Sequence, residues 1–396
     1  MHRLDDPASN TLLIYPCPLV TPHVVVVQYD ADLDPLSGHL RRSCALAGRA
    51  TRAFSVLRFN NVADKFSTEG RMDPIISPGT ASAHSHGVMG GSNFGLTVRG
   101  DQLLKSKCTN SMIKNDKSNY WVPGIWYQSP HNGTFKKVPL FYMQVYYFFD
   151  VTNDKIEPFP PGLKIVSGEA GSALHPQQAA CSSIHPWGPS SRSSSRVPRR
   201  AIRTGTPRAP TAHAEAWRTQ GTAAPARASP VINCDGYASP LRQDIHLPSC
   251  YNPAAGLDDH HNNMAFPSDN RGKLDCPSGW VHVPHMFFEV YYDTPRFAAD
   301  WRPDGRSQPF VLSDGDRTGY SLHADFVSGW DQDTLRAIID KCDTGSGGMD
   351  TCPTIIGGVN KDDKCVIDSV VPDPKDEWVT ALPGDNPLQG WGVGGY

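Results

Sequence analysis

Apolar and polar positions alternate along several stretches of the chain. FSVLRF, from Phe54, alternates with a period of two, and KVPLFYMQVYYFFDV, from Lys137 to Val151, is a dense aromatic and β-branched run. Both patterns predict strands, the second wide enough for burial on both faces. HVPHMFFEVYYDT, from His282 to Thr294, predicts another strong strand, and QPFVLSDGDRTGY reads as strand, turn, strand. Helical spacing is rare. Its clearest instance is WDQDTLRAIIDKC, from Trp330 to Cys342, where Asp331 can cap and Leu335, Ile338 and Ile339 form an i, i+3, i+4 stripe closed by Lys341. One helix among many short strands, punctuated by 35 Gly and 35 Pro, predicts a mainly β protein. The expected architecture is a β-sandwich-like single domain with long loops and one or few short helices.

Two stretches break this pattern. Residues 1–53 carry no sustained period and form an atypical N-terminal segment. Residues 171–230 are rich in Ser, Pro, Ala and Arg and nearly empty of aliphatic and aromatic anchors, so they cannot bury enough apolar surface to offset the entropy of ordering. The expectation is a single β-rich domain over 54–396, interrupted by a disordered low-complexity insertion at 171–230.

Charge sharpens the division. Residues 171–230 hold eight Arg, no Lys and one Glu, a local +7 within a chain of net −3, which leaves the remainder at about −10. An acidic body argues against a nucleic-acid partner. The apolar run PHVVVVQY is too short to span a bilayer, which takes about 20 apolar residues, and the first ten residues lack the features of a signal peptide. Ten cysteines without a Cys-x-x-Cys or zinc-finger spacing point to disulfides in an oxidising compartment. The sequon Asn132-Gly133-Thr134 points the same way.

Candidate chemistry gathers at SAHSHGVMGG. In an extended segment, His84 and His86 fall on one face of a sheet, close enough to share a metal or flank one substrate group. His323 and Asp325, in YSLHAD, have the same one-face spacing, and Asp73 in RMDPI can reach the same cleft. His84, His86 and His323 are the candidate ligands of a divalent metal. With Asp73 and Asp325 they also make a catalytic set, a base with an orienting carboxylate. The competing reading is that these histidines only brace long loops. His260-His261, in a polar loop, and His282 and His285, flanking a strand, carry less weight. Glu289 and Asp293 are about 13 Å apart along one strand, too far for a glycosidase pair. Trp121, Trp126, Tyr127, Trp280, Trp301 and Trp330 offer sugar-stacking rings, though core anchoring explains most of them more simply. No Gly-x-Ser-x-Gly elbow and no phosphate loop occurs.

FSVLRFNN, GRMDPIISPGTASAHSHGVMGGSNF, DKSNYWVPGIWY, FPPGLKIVSG, GWVHVPHMFFEVYYDTP, QPFVLSDGDRTGYSLHADFVSGWD and LPGDNPLQGWG, in that order, resemble the fungal secreted domain-of-unknown-function family DUF1996, seen alone or with WSC modules. The resemblance runs from about Phe54 to the C-terminus, excepting about 169–230. It implies secretion, one β-rich domain and an association with fungal walls, with no assigned activity. Against the family's pattern, the stretch before Phe54 and the 171–230 segment stand apart, and both are expected to derive from wrongly assigned exons or introns. Of the cysteines, seven lie in the matching body, at 108, 234, 250, 276, 342, 352 and 365. An odd number cannot all pair, and about three disulfides are expected. The functional expectation is an extracellular protein that binds or processes cell-wall polysaccharide, a hydrolase if an enzyme, at a cleft lined by Asp73, His84, His86, His323 and Asp325. The alternative is a non-catalytic structural or interaction protein.

Overall fold

The computed structural model describes residues 53–60, 65–149, 151–170, 215–219, 241–300, 309–317, 319–374 and 376–390. In chain order its strands begin with β1 (Ala53–Arg58), β2 (Thr68–Gly70), β3 (His86–Gly90), β4 (Asn119–Pro123), β5 (Ile125–Gln128) and β6 (Phe135–Lys137). They continue with β7 (Leu140–Phe149), β8 (Lys164–Ser167), β9 (Glu215–Thr219), β10 (Leu241–His246), β11 (Cys250–Tyr251) and β12 (Met264–Ala265). The last are β13 (Ser268–Asn270), β14 (Lys273–Asp275), β15 (Val281–His282), β16 (His285–Tyr292), β17 (Phe310–Leu312) and β18 (Ala324–Val327). Two α-helices, α1 (Gly100–Leu103) and α2 (Gln332–Lys341), accompany them.

Two five-stranded antiparallel sheets carry the core, in the orders β1-β7-β16-β10-β9 and β2-β3-β4-β18-β8. In β7 the period-two pattern sends Met143, Val145 and Tyr147 inward, while Tyr142, Gln144 and Tyr146 stay half-buried on the far face. The expected burial of β7 on both faces is therefore corrected, because the second sheet covers only one side of the first. Register aligns Val145 with Leu57 and Phe288, so the inward residues of three strands form one apolar row. Met89, Tyr120, Val122, Ile165, Ala324 and Phe326 meet that row from the second sheet. The mainly β expectation holds, and the packing of two sheets over one core is sandwich-like.

A chain of hydrogen bonds crosses this core. Trp330 Nε1 donates to Tyr147 Oη at 3.0 Å, Tyr147 and Tyr120 share a bond of 2.7 Å, and Tyr120 donates to Asp116 at 2.9 Å. Tyr147 stands on β7 and Tyr120 on β4, so polar bonds as well as apolar contact join the sheets. The expected helix forms as α2, with Asp331 accepting from the Thr334 backbone N–H at 2.9 Å and Leu335 and Ile338 buried.

Other expectations are corrected. QPFVLSDGDRTGY supplies β17 but no second described strand, since the Asp314 and Asp316 carboxylates bind the N–H groups of Asp316 and Ser321 and fold the segment into turns. Trp121, Trp126, Tyr127 and Trp330 are fully buried and cannot stack on a sugar, Trp280 is half-buried, and Trp301 lies outside the described residues. Of residues 171–230 only Glu215–Thr219 is described, as an edge strand paired with β10. The remainder of that segment and residues 1–52 lie outside the described residues.

Cys108–Cys365, Cys250–Cys276 and Cys342–Cys352 are paired as disulfides, and Cys234 lies outside the described residues. Among the described residues no helix is long and apolar enough to cross a membrane.

Candidate functional site

The second sheet has its own small core on the face turned away from the first. Register aligns Val88 with Trp121 and Trp121 with Asp325 across β3, β4 and β18, so these three share a face. Two residues upstream of Val88 stands His86, and two upstream of Asp325 stands His323, placed on that same face by the period of two. Met72, Ile75, Phe94, Val98 and Leu103 pack over Val88 and Trp121. The segment carrying Met72 and Ile75 delivers Asp73 to the edge of the cluster. Gly168, at φ +89°, lets the chain leaving β8 press against His323, where any Cβ would collide with the Leu322 carbonyl.

Three imidazoles meet there through their Nε2 atoms. His84 lies 3.0 Å and His86 3.2 Å from His323 Nε2. The His323 Nδ1–H donates to the Ser321 carbonyl at 2.8 Å, which leaves Nε2 as the lone-pair nitrogen. Asp73 Oδ1 accepts from the backbone N–H groups of Ile75 and Ile76, and its Oδ2 lies 4.0 Å from His86 Nε2. Asp325 is 0 % exposed, and neither of its oxygens has a hydrogen-bond partner among the described residues. Donor atoms of His84, His86 and His323 lie within 4.8 Å of one another, as do those of Asp73, His86 and Asp325. His84, 7 % exposed, is the member closest to solvent.

Burial, followed by His86 and His323, drives the His84 pKa down to about 2, against the pull of Asp314. Burial and then His323 hold His86 well below its ordinary value, opposed by the Met72 backbone. Asp325 is pushed well above the usual carboxylate range by burial and then by the Asp73 carboxylate. His84 and His86 are thus neutral rings, each with one N–H and one lone pair, beside two acidic side chains.

Sequence reasoning gave little weight to His260, yet the structure brings it toward this cluster. Its Nε2 is buried without a partner among the described residues, and its imidazole feels the Asp73 carboxylate, although burial and then His261 keep its pKa lowered. The other demoted residues stand elsewhere. His282 is buried against Asp154 at 3.3 Å, and the nearby Cys276 is committed to its disulfide. His285 shares a 2.9 Å bond with His246. Glu289 is tied to Arg242 at 2.9 Å in the first sheet, Asp293 pairs with Arg296, and Asp331 is spent on the helix cap.

No local pattern points to the residues that hold the His84-Ser85-His86 tripeptide. Asn386 Nδ2 donates to the Ala83 carbonyl at 2.8 Å. Ser85 Oγ donates to Asp373 at 2.5 Å, and Lys137 bridges Asp373 at 2.5 Å and Glu69 at 3.1 Å. Ser313 Oγ donates to the Ser85 carbonyl at 2.6 Å. Asp373 and Asn386 follow the tripeptide by hundreds of residues, a separation no short-range pattern can bridge.

A family model, described as a domain of unknown function (DUF1996), matches residues 73–330, a span that contains all five clustered side chains. No curated protein and no solved structure matches the chain.

Proposed function

The chain belongs to the DUF1996 family, and from that membership we propose that it is an extracellular domain acting on cell-wall polysaccharide through one centre formed by Asp73, His84, His86, His323 and Asp325. The observation that carries this reading is Asp325, a fully buried carboxyl group without a hydrogen-bond partner among the described residues, set beside Asp73 and His86. Buried groups that serve only as braces are hydrogen-bonded, and leaving one unpaired costs about 1–3 kcal/mol, so such a cluster is kept for chemistry. Three cysteine pairs at bonding distance support an oxidising compartment. Asn132 supports glycosylation: it is exposed in a turn where Thr134 donates to its carboxamide oxygen. Polysaccharide as substrate rests on the resemblance to wall-associated fungal proteins.

Incubating the full chain with fungal cell-wall polysaccharides and measuring released reducing ends tests the reading. Wild-type protein should release sugar, and His323→Ala should lower the rate about 100-fold or more, the range for loss of an acid–base or electrostatic group. No release and no retention on a glycan array would overturn it. A non-catalytic wall or interaction protein is the second reading, favoured by the brace that His323 makes to Ser321 and Asp73 to Ile75 and Ile76. Glycan retention without release, unchanged in His323→Ala, would select it.

A further inference from the structure

Three imidazole nitrogens crowd one point, and without a cation their hydrogen-bond accounting does not close. His323 spends its N–H on Ser321, so Nε2 offers only a lone pair to His84 and His86. One N–H satisfies that lone pair, so the second ring meets it either lone pair to lone pair or as a surplus donor, and among the described residues nothing answers Asp325. We propose that His84, His86 and His323, completed by Asp73 and Asp325, hold a single divalent first-row transition-metal ion. The inference deepens the preceding reading and rests on its premise that the five side chains are one centre.

Geometry supports the ion first. With metal–nitrogen bonds of about 2.0–2.1 Å, ligand nitrogens stand about 2.9 Å apart in an octahedral site and about 3.3 Å apart in a tetrahedral one. The observed separations of 3.0 and 3.2 Å from His323 to its two neighbours fall in that interval. The tautomer is fixed as a ligand requires, with the outer nitrogen of His323 anchored on a backbone carbonyl. Asp73 is arranged likewise: Oδ1 is held by two backbone N–H groups and Oδ2 is left facing His86.

Charge supports it next. Two acidic side chains, Asp73 and Asp325, are buried beside the imidazoles, and a divalent ion balances their charge when both carboxyl groups ligate it. The same ion gives the two Asp325 oxygens their missing partner. The donor set names the class: imidazole suits zinc, iron, cobalt, nickel and copper, whereas calcium and magnesium take oxygen ligands. With two carboxylate oxygens beside three nitrogens, five- or six-coordinate geometry is open, and the exposed edge of His84 marks the side from which water or substrate reaches the ion.

The test uses the full chain, secreted from a disulfide-forming host and purified without chelator. Elemental analysis by mass spectrometry should find about one equivalent of one transition metal per chain. Asp325→Asn and the double variant His84→Ala/His323→Ala should each lower that content at least tenfold. Because the double variant can misfold, chelator-stripped wild-type and Asp325→Asn proteins are also titrated with Co²⁺. The wild type should develop a visible ligand-field band and the variant should not. Wild-type protein free of transition metal that also fails to take up Co²⁺ or Zn²⁺ would overturn the inference, as would equal uptake by the double variant. Bound metal in protein that neither releases sugar nor is retained on a glycan array upholds this inference and sinks the polysaccharide reading. Sugar release by metal-free protein, undiminished by chelator, does the reverse.

Discussion

At Asp116 the carboxyl is buried beneath Tyr120, and burial raises its pKa to about 6 against the opposing bonds from Ser118, Tyr120 and Ser111. Between that value and the ordinary 3.8, folded protein binds a proton that the unfolded chain has released. Stability contributed by this group therefore rises as pH falls from about 6 to about 4, by about 3 kcal/mol in all at about 1.4 kcal/mol per pH unit. Asp116→Asn removes the titration and keeps the shape. The stability of wild type minus that of the variant, from urea unfolding at pH 7 and pH 4, should grow on acidification; a constant difference would show that Asp116 ionises normally. At the surface, Asn132→Gln should abolish the glycan mass shift of protein from a eukaryotic host and leave metal content unaltered.

Elements differ in how far the sequence foretells them. Strands β1, β7 and β16 and helix α2 follow from the local sequence: β7 and α2 bury one face and the spacing of apolar residues records which, while β1 and β16, buried at consecutive positions, show as short runs rich in aromatic and aliphatic residues. His84 does lie beside His86, as the sequence suggests, but it stands in a bend before β3, so that bend and not the period of a strand brings the two rings together. That His323 and Asp325 arrive beside them depends on β18 adding next to β4, a long-range choice written in no local stretch. The C-terminal run is harder still. It has no described strand or helix after Thr351, yet it supplies Asp373 and Asn386 to the His84 segment. Asp373→Asn and Asn386→Ala should each weaken metal retention severalfold while lowering unfolding free energy by only about 1–3 kcal/mol, the cost of one buried bond, which is larger where a charge is involved. Equilibrium dialysis beside urea unfolding checks both. Unchanged metal affinity in both variants would show that the run only covers the site. Asp331→Ala, by contrast, should cost about 1 kcal/mol through loss of the α2 cap and leave metal content alone.

Over the whole molecule, two sheets share one large core while the histidine cluster sits with a smaller core on an outer face. Cys108–Cys365 joins that outer side to the C-terminal run across 257 positions. Replacing both cysteines by Ala should lower stability by about 2–5 kcal/mol, read as a lower Tm that no longer responds to reductant at that bond. The run carrying Asp373 and Asn386 also lies past residue 330, where the family match ends. A recombinant fragment trimmed to the family boundaries would contain every candidate donor atom but lose Asp373 and Asn386, which tether the His84 segment. Inactivity of such a fragment would measure the trimming and not the protein.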